Sequence, residues 1–394
     1  MRVLVAFAGG LGHYGPLAPV ARALVASGHE VRVACQASAA PAVAADGLDV
    51  VVTSAETAGP VRLSALLPLD LDREDRALRE GYAGRTARSR AADLLALAAR
   101  WRPDVVVCDE VDFGAMVAAE RLGVPHATVL VMAAGTFVRE AVVGEPLRAL
   151  RAAHGLPDEP PLAMLARHLV LCPFPPSFRD PAAPLPATAR LLRPGAGAGA
   201  RGAADDDATG PASVAPGLAP AADGARPLVY FSLGTVFNLE SGDLFTRVLA
   251  GLRDLPADVL VSLGAGLDPA LLGPQPAHVR VEPFVDQDRV IAAADVVVTH
   301  GGSGTVTAAL TAGVPVVVLP MGADQPDNAA RCAALGVGTV LDPVTVTPPQ
   351  VRAAVGAVLT DPAFRRRAAA LAAEAAALPP VGSAVALLED LTGR

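Results

Sequence analysis

The chain has no lysine: all 32 of its basic residues are arginine, set against 40 aspartates and glutamates, for a formal net charge of −8 at pH 7. The arginines do not gather into a run able to neutralise a phosphate backbone, which sets nucleic acid aside as a partner. The lysine-free, Ala/Arg/Pro-rich usage reads as codon bias in a GC-rich genome and carries little chemistry. Cysteine is scarce. The four present, Cys35, Cys108, Cys172 and Cys332, lie far apart with no CxxC or CxxH spacing, which excludes a structural zinc site and gives no ground for a disulfide framework. A reducing compartment suits them, and the expected location is cytoplasmic. No apolar run reaches the roughly 20 residues of a membrane span. The opening Val3–Ala8 is too short, lacks a cleavage site and runs into Gly-rich sequence as a first strand does, so no stable membrane insertion is expected. Aromatics make up only 4% of the chain and hydrophobic residues 52%, so aliphatic packing has to fill the cores.

What is present is an alternation that occurs twice. At 394 residues the chain suits two domains of about 150 to 200 residues each. Apolar runs at Val3–Ala8, Glu30–Ala34, Asp49–Val52, Val105–Cys108 and Ala127–Val131 alternate with helical stretches near Pro16–Ser27, Thr86–Trp101 and Phe113–Leu122. This predicts an α/β, doubly wound parallel sheet over 1–192. From about Arg190 to Arg226 the sequence reduces to Gly, Ala and Pro with an Asp205-Asp206-Asp207 triplet, a composition that cannot build a core. It reads as a linker over 193–226. The alternation restarts with Leu228–Ser232, Val259–Ser262, Val279–Val281, Val296–Thr299, Val316–Leu319 and Thr339–Leu341, giving a second Rossmann-like domain over 227–378. A last helix over 379–394 is expected, and the sequence leaves open whether it returns to the first domain.

In the first half, strand one runs into Gly9-Gly10-Leu11-Gly12-His13-Tyr14-Gly15-Pro16, and the next helix is expected to begin at Pro16, where the missing N–H costs nothing. This is not a dinucleotide GxGxxG. His13 intrudes where the pyrophosphate would lie, and strand two ends at Cys35-Gln36 rather than in an acid. In the usual order 3-2-1-4-5, strands one and four are neighbours and their carboxyl ends open at the switch point, with His13 after one and Asp109 after the other. A carboxylate there can hold an imidazole in one tautomer, the Asp–His half of a catalytic triad. Glu110 and Asp112 compete with Asp109, whose place at the strand end favours it. The plain alternative makes His13 a turn residue and Asp109 a helix cap.

The most specific segment is Thr299-His300-Gly301-Gly302-Ser303-Gly304-Thr305, between a buried strand and a helix. Backbone N–H groups and the dipole at that helix start attract a phosphate, Ser303 and Thr305 add hydroxyl donors, and His300 adds another from the strand side. Ser232-Leu233-Gly234-Thr235 and Met321-Gly322-Ala323-Asp324-Gln325 end two further strands of the same neighbourhood, and an acid beside an amide suits sugar hydroxyls. One Gly-rich turn is common in α/β proteins; three polar loops on one sheet edge are much less so.

On these residues the whole chain resembles the glycosyltransferase-B (GT-B) fold, and specifically the family-one glycosyltransferases that include bacterial, actinomycete-type natural-product enzymes and plant UDP-sugar transferases. Phe284–Asn328 carries the resemblance most strongly. It implies two Rossmann-like doubly wound domains facing across a cleft, with His13 as the base that deprotonates an acceptor hydroxyl and Asp109 as its partner. His300, Gly302, Ser303, Gly304 and Thr305 then form a pyrophosphate cradle joined by Ser232, Gly234 and Thr235. Phe284 stands where many relatives carry a Trp stacked on the base, Val285 where backbone groups read the base edge with Gln287 beside it, and Asp324-Gln325 where the donor sugar is gripped. Plant relatives place a Glu eight residues after the motif His to bind the ribose hydroxyls. Ala308 stands there instead, which favours a dTDP-deoxysugar over a UDP-sugar.

The implied reaction is inverting transfer of a hexose or deoxyhexose from a nucleotide diphosphate, the co-substrate, to an apolar natural-product aglycone, with no cofactor and no metal. The acceptor is expected in the first half, lined by irregular segments near Ser54–Arg85 and Ala133–Phe178, with Gly12, Tyr14, Met132 and Phe137 as contacts and Met164 nearby. A plain core explains the same apolar residues. Asp70–Asp72 and Asp286–Asp288 have the Asp-x-Asp form of metal-dependent transferases but not its surroundings, and the second pair reads as a loop before a helix. Rival readings are a sugar-nucleotide epimerase, a non-catalytic nucleotide-sugar-binding auxiliary protein, and a transferase acting on a lipid-linked precursor, the last weakened by the lack of a basic amphipathic face. A homodimer is compatible with the sequence, which does not fix oligomeric state, acceptor, regiochemistry or the atom glycosylated.

Overall fold

A computed structural model describes residues 1–53, 63–195, 226–264 and 266–393. The strands are β1 (Arg2–Ala6), β2 (Glu30–Cys35), β3 (Asp49–Val52), β4 (Val105–Asp109), β5 (His126–Val129), β6 (Leu169–Cys172), β7 (Ala189–Leu191), β8 (Leu228–Ser232), β9 (Asp258–Ser262), β10 (Val279–Glu282), β11 (Val296–Thr299), β12 (Val316–Val318) and β13 (Gly338–Val340). Among the described residues they form a sheet of 7 strands in the order β3-β2-β1-β4-β5-β6-β7 and one of 6 in the order β10-β9-β8-β11-β12-β13. Central strands such as Val105-Val106-Val107-Cys108-Asp109 and Val296-Val297-Val298-Thr299 are buried along their whole length. Continuous β-branched runs of this kind belong in parallel sheets covered by helices on both faces. The expected 3-2-1-4-5 neighbourhood is present in both sheets, which makes this an α/β protein with two Rossmann-like parallel-sheet units.

The helices are α1 (Leu11–Ala26), α2 (Ala40–Ala45), α3 (Leu71–Arg76), α4 (Ala87–Ala98), α5 (Phe113–Leu122), α6 (Glu140–Ala153), α7 (Leu244–Leu252), α8 (Gln287–Ala293), α9 (Ser303–Thr311), α10 (Gln325–Ala334), α11 (Pro348–Thr360), α12 (Pro362–Ala376) and α13 (Ser383–Thr392). One compact unit takes in 1–53, 70–195 and 377–393 of the described residues, the other 63–69, 226–264 and 266–376. The C-terminal α13 thus groups with the first sheet, placing Ala384 and Leu388 in the core that contains Leu17 and Leu24 of α1. In the second unit α11 begins with a reciprocal Thr347/Gln350 capping box that satisfies helix-end N–H groups. Most of the expected 193–226 linker lies outside the described residues.

Three local expectations are corrected. First, α1 starts at Leu11 with Pro16 and Pro19 inside it, so His13 and Tyr14 occupy its first turn rather than a preceding loop. A proline ring crowds the carbonyl four residues earlier; here those residues are Gly12 and Gly15, whose bare backbone leaves the most room. Second, the stretch expected to be irregular up to Arg85 is helical from Leu71, with α3 and α4 joined by a π-helical segment, Ala77–Thr86. Third, the segment expected to be irregular over 133–178 contains α6 and β6, and β7 follows it. Strands of 4 and 3 residues set among prolines are too short to show a period, and they form because the sheet edge offers them a ladder.

Between α4 and α5 lies a buried ion pair. Arg90 and Asp112 side chains are 1% and 0% exposed and 2.6 Å apart, and the guanidinium also donates to Thr53 Oγ1 (2.8 Å) and the Ala34 carbonyl (3.3 Å). Gly114 allows the two helices to touch: a Cβ there would stand 2.4 Å from the Ala87 carbonyl oxygen.

Candidate functional site

The first unit brings His13 and Asp109 together. The β1–β4 register pairs Ala6 with Cys108, so Asp109 follows at the carboxyl end of β4 as the chain leaves β1 for α1. His13 Nδ1 lies 3.2 Å from Asp109 Oδ2. The same carboxylate accepts the Ala8 N–H at 2.9 Å on Oδ2 and the Val111 N–H at 2.7 Å on Oδ1, which holds it in one orientation. Burial works to raise the Asp109 pKa, but the hydrogen bond and charge of His13 and the two backbone donors prevail, and it is held below the usual carboxylate value. The competing acids face elsewhere. Glu110 accepts the Val131 and Met132 N–H groups, each at 2.6 Å, and burial raises it to about 7 against those donors and the charge of Arg179. Asp112 caps α5 through the Ala115 N–H and pairs with Arg90.

Two neighbours fix the imidazole. Gly9 leaves the space it occupies, since a Cβ at that position would lie 2.1 Å from His13 Cδ2. Tyr82, from the π-helical segment, stacks on it with ring centroids 5.9 Å apart and planes at 19°. Sequence reasoning missed Tyr82 because it falls in a stretch read as irregular. Gly9→Ala is expected to displace the imidazole from Asp109 and lower turnover about 100-fold, as a misplaced catalytic group does. Because the clash is with a side chain, the melting temperature is expected to stay near that of the parent; undiminished turnover would show that the imidazole position is immaterial.

The expected acceptor contacts divide. Tyr14 is a core residue, not a wall: it is fully buried, stacks on Phe7 and donates its hydroxyl to Asp46 at 2.7 Å. Burial first, then the Asp46 hydrogen bond and charge, push its phenol pKa far up. Its place in the first turn of α1 turns the ring inward. Met132 and Met164 likewise belong to the first core, whereas Phe137 is half-buried against it and Gly12 is exposed.

In the second unit β11 turns through Gly301, at φ +92°, and Gly302 into α9. No side chain caps that helix start, and the backbone N–H groups of a first helical turn are the arrangement that receives an anion. His300 is buried beside it. Ideal Cβ atoms at Gly234 and Gly302 would come within 2.7 and 2.6 Å of its ring, and the Phe237 ring lies 6.2 Å away. Burial lowers the His300 pKa to about 4 against a hydrogen bond that the ring donates to the Ser232 backbone carbonyl, so the ring is neutral near pH 7 and acts as a dipole rather than a cation. Ser232 is buried at the end of β8, with Gly234 and the exposed Thr235 beyond it.

Several expected donor contacts are committed within this unit. Ser303 Oγ donates to Asp324 Oδ2 at 2.6 Å, so its hydroxyl proton is committed within the unit. Asn328 donates to Asp324 (2.8 Å), Ser303 Oγ (3.1 Å) and the Gly301 carbonyl (2.9 Å). The Gln325 side-chain oxygen, Oε1, accepts the Met321 and Gly322 N–H groups at 2.8 and 3.2 Å. Asp324 and Gln325, expected at the sugar, therefore build the loop that supports the turn. Within it Ala323 holds φ +51°, a left-handed conformation rare for a residue with a side chain and typical of functional loops. Asn328 was missed as a site residue, although it lies one turn beyond Asp324 on the same helix face. Phe284 is 73% exposed, Val285 and Gln287 are half-buried, and Thr305 is buried. Asp70 and Asp286, which lead the two Asp-x-Asp pairs, cap α3 and α8 by accepting the Arg73 and Arg289 N–H groups.

A glycine-lined helix start able to receive a diphosphate, and a carboxylate-held imidazole on a second parallel sheet, are the furniture of a GT-B glycosyltransferase. Within that class the chain belongs to the erythromycin biosynthesis protein CIII-like family, whose N-terminal domain matches residues 22–184 and whose C-terminal domain matches 246–391. It is 32% identical to 4'-demethylrebeccamycin synthase of Lentzea aerocolonigenes over 99% of both chains. It is 30% identical to tylactone mycaminosyltransferase of Streptomyces fradiae over 100% of this chain and 92% of the other. Among solved structures, spinosyn rhamnosyltransferase SpnG complexed with thymidine diphosphate matches with TM-score 0.77 and 26% identity, over 99% of this chain and 100% of that one. The chain is thus a sugar-transferring enzyme of the family-one, natural-product type. Among the described residues no helix is long and apolar enough to cross a membrane.

Proposed function

We propose that the enzyme moves a deoxyhexose or hexose from a dTDP-sugar, or less readily a UDP-sugar, to a hydroxyl of a small apolar natural-product aglycone, with inversion and without a metal. His13 takes the proton from the acceptor hydroxyl. The freed oxygen forms a bond to the anomeric carbon while the bond from that carbon to the diphosphate breaks, and the nucleoside diphosphate departs with the electron pair. The first-turn N–H groups of α9 and the neutral His300 dipole receive its growing charge, the part a metal plays elsewhere. Phe284 offers an exposed face to the base, and Ser303, Asp324 and Asn328 hold the turn in shape. The observation that carries the reading is the 3.2 Å contact of His13 Nδ1 with Asp109. A proton on Nδ1, directed at the carboxylate, puts the lone pair on Nε2, the form a general base requires.

The dTDP preference rests on Ala308, half-buried on α9, which provides no acceptor for a ribose 2′-hydroxyl. The thymidine diphosphate held by the spinosyn rhamnosyltransferase is in keeping with it. A mass-spectrometric screen pairing dTDP- and UDP-sugars with a panel of apolar aglycones is expected to give products mainly from dTDP-deoxysugars. Ala308→Glu is expected to raise kcat/KM for UDP-sugars up to about tenfold, the scale of one added hydrogen bond. Efficient use of UDP-glucose with no turnover of dTDP-sugars would overturn the donor assignment, and nucleotide-sugar conversion without any acceptor would point to an epimerase.

A further inference from the structure

We infer that Tyr82 is a positioning residue for the proposed base, its ring closing one face of the His13 imidazole so that the ring stays turned to Asp109. The inference rests on the reading of His13 as the base, and it starts from the helix that carries Tyr82.

Residues 71–98 are helical throughout, and the middle of the stretch, Ala77–Thr86, has the wider π winding. π-helical turns are rare, cost hydrogen-bond geometry, and are found mostly at functional sites. The inward stripe records the change of winding: Leu78 and Ala83, five apart, are both buried, and Ala87, Ala91 and Leu94 then follow at the closer spacing of an α-helix. Had α winding run through this segment, a four-residue step from Leu78 would have put Tyr82 on the core-facing stripe. The five-residue step assigns that place to Ala83 and leaves Tyr82 half-buried at the stripe's border, where its ring lies nearly parallel to the imidazole. A separation of 5.9 Å at 19° is an offset stack.

The imidazole is then bounded on three sides. Its Cδ2 edge lies against the bare backbone of Gly9, where a Cβ would not fit, Asp109 holds Nδ1, and Tyr82 covers a face. The tyrosine ring limits rotation about the His13 side-chain bonds on that face. Without it, water would reach the imidazole and favour its protonated form over the neutral form that accepts a proton.

The test compares Tyr82→Phe, Tyr82→Ala and His13→Ala in the full chain, measuring kcat, donor KM and the pH dependence of kcat. Tyr82→Phe keeps the stacking face and is expected to retain kcat within about twofold. Tyr82→Ala is expected to lower kcat about 10- to 100-fold with donor KM unchanged, and to move the acidic limb of the profile to higher pH. A merely structural role would leave that limb in place. If Tyr82→Ala does not fold, Tyr82→Leu, which keeps apolar volume but no ring, is read in its place with the same expectation. Unchanged kcat and pH limb in the alanine or leucine variant would overturn the inference, and so would equal losses in Tyr82→Phe and Tyr82→Ala, which would assign the effect to the hydroxyl. Full activity in His13→Ala is a separate failure, that of the base itself.

Discussion

Replacing His13 with alanine is expected to lower glycosyl transfer about 100- to 10,000-fold, the range that a positioned general base contributes, while leaving the protein folded and able to bind nucleotide. A hydroxyl is a poor nucleophile until its proton has somewhere to go, and the structure offers an imidazole whose carboxylate partner is itself fixed by the Ala8 and Val111 N–H groups. The turn at Gly301–Thr305, proposed above to receive the diphosphate, belongs to the other unit, so the dissociation constant for dTDP is expected to stay within about twofold. Removing the imidazole leaves the Asp109 carboxylate with its two backbone donors, so the loss of His13 does not strand an unpaired buried charge. Isothermal titration with dTDP alongside product formation separates the two effects. Wild-type turnover in the variant would remove His13 from the mechanism, and lost dTDP binding would mean that the units are not independent.

Arg90→Leu is expected to destabilise the first unit by about 3 to 5 kcal/mol, because it leaves Asp112 as an uncompensated charge in the core. The pair is dry, at 1% and 0% side-chain exposure, and Asp112 is tied in place as the N-cap of α5. Burial and the nearby Asp109 charge raise the Asp112 pKa while the Arg90 charge and hydrogen bond lower it, so its ionised form depends on the guanidinium. The effect is checked by denaturant unfolding. The double variant Arg90→Leu with Asp112→Asn is expected to recover much of the loss, since the amide keeps a capping oxygen without a charge. A loss under about 1 kcal/mol in the single variant would show that water reaches the site or that the pair is not formed.

The legible parts of the site were those whose chemistry is local. Thr299–Thr305 declares a strand, a glycine turn and a helix start within seven residues, and the backbone there provides the binding groups whatever the rest of the molecule does. Asp109 was preferred over Glu110 and Asp112 by its place at a strand end, and the structure turns those two carboxylates toward Val131 and Met132 and toward Arg90. Tyr14 was misassigned because the helix begins five residues before Pro16: one turn of helix rotates the side chain that follows His13 into the core. Asp324 and Gln325 were read only as groups for the donor sugar; the sequence did not show that they also support the turn, through an i, i+4 partner in Asn328 and two backbone N–H groups.

By itself the sequence determined the α/β class, both parallel sheets with their switch points and the glycine turn after Thr299, and it favoured residue 109 as the neighbour of residue 13. All of these follow from short-range periodicity together with the usual strand order of such alternation. Only the tertiary structure decided which face each first-turn side chain takes, that Tyr82 lies on the imidazole, that Ser303, Asp324 and Asn328 form one network, and that α13 joins the first core. Those outcomes depend on helix phase, winding and contacts between residues distant in the chain, and no window of local sequence contains them.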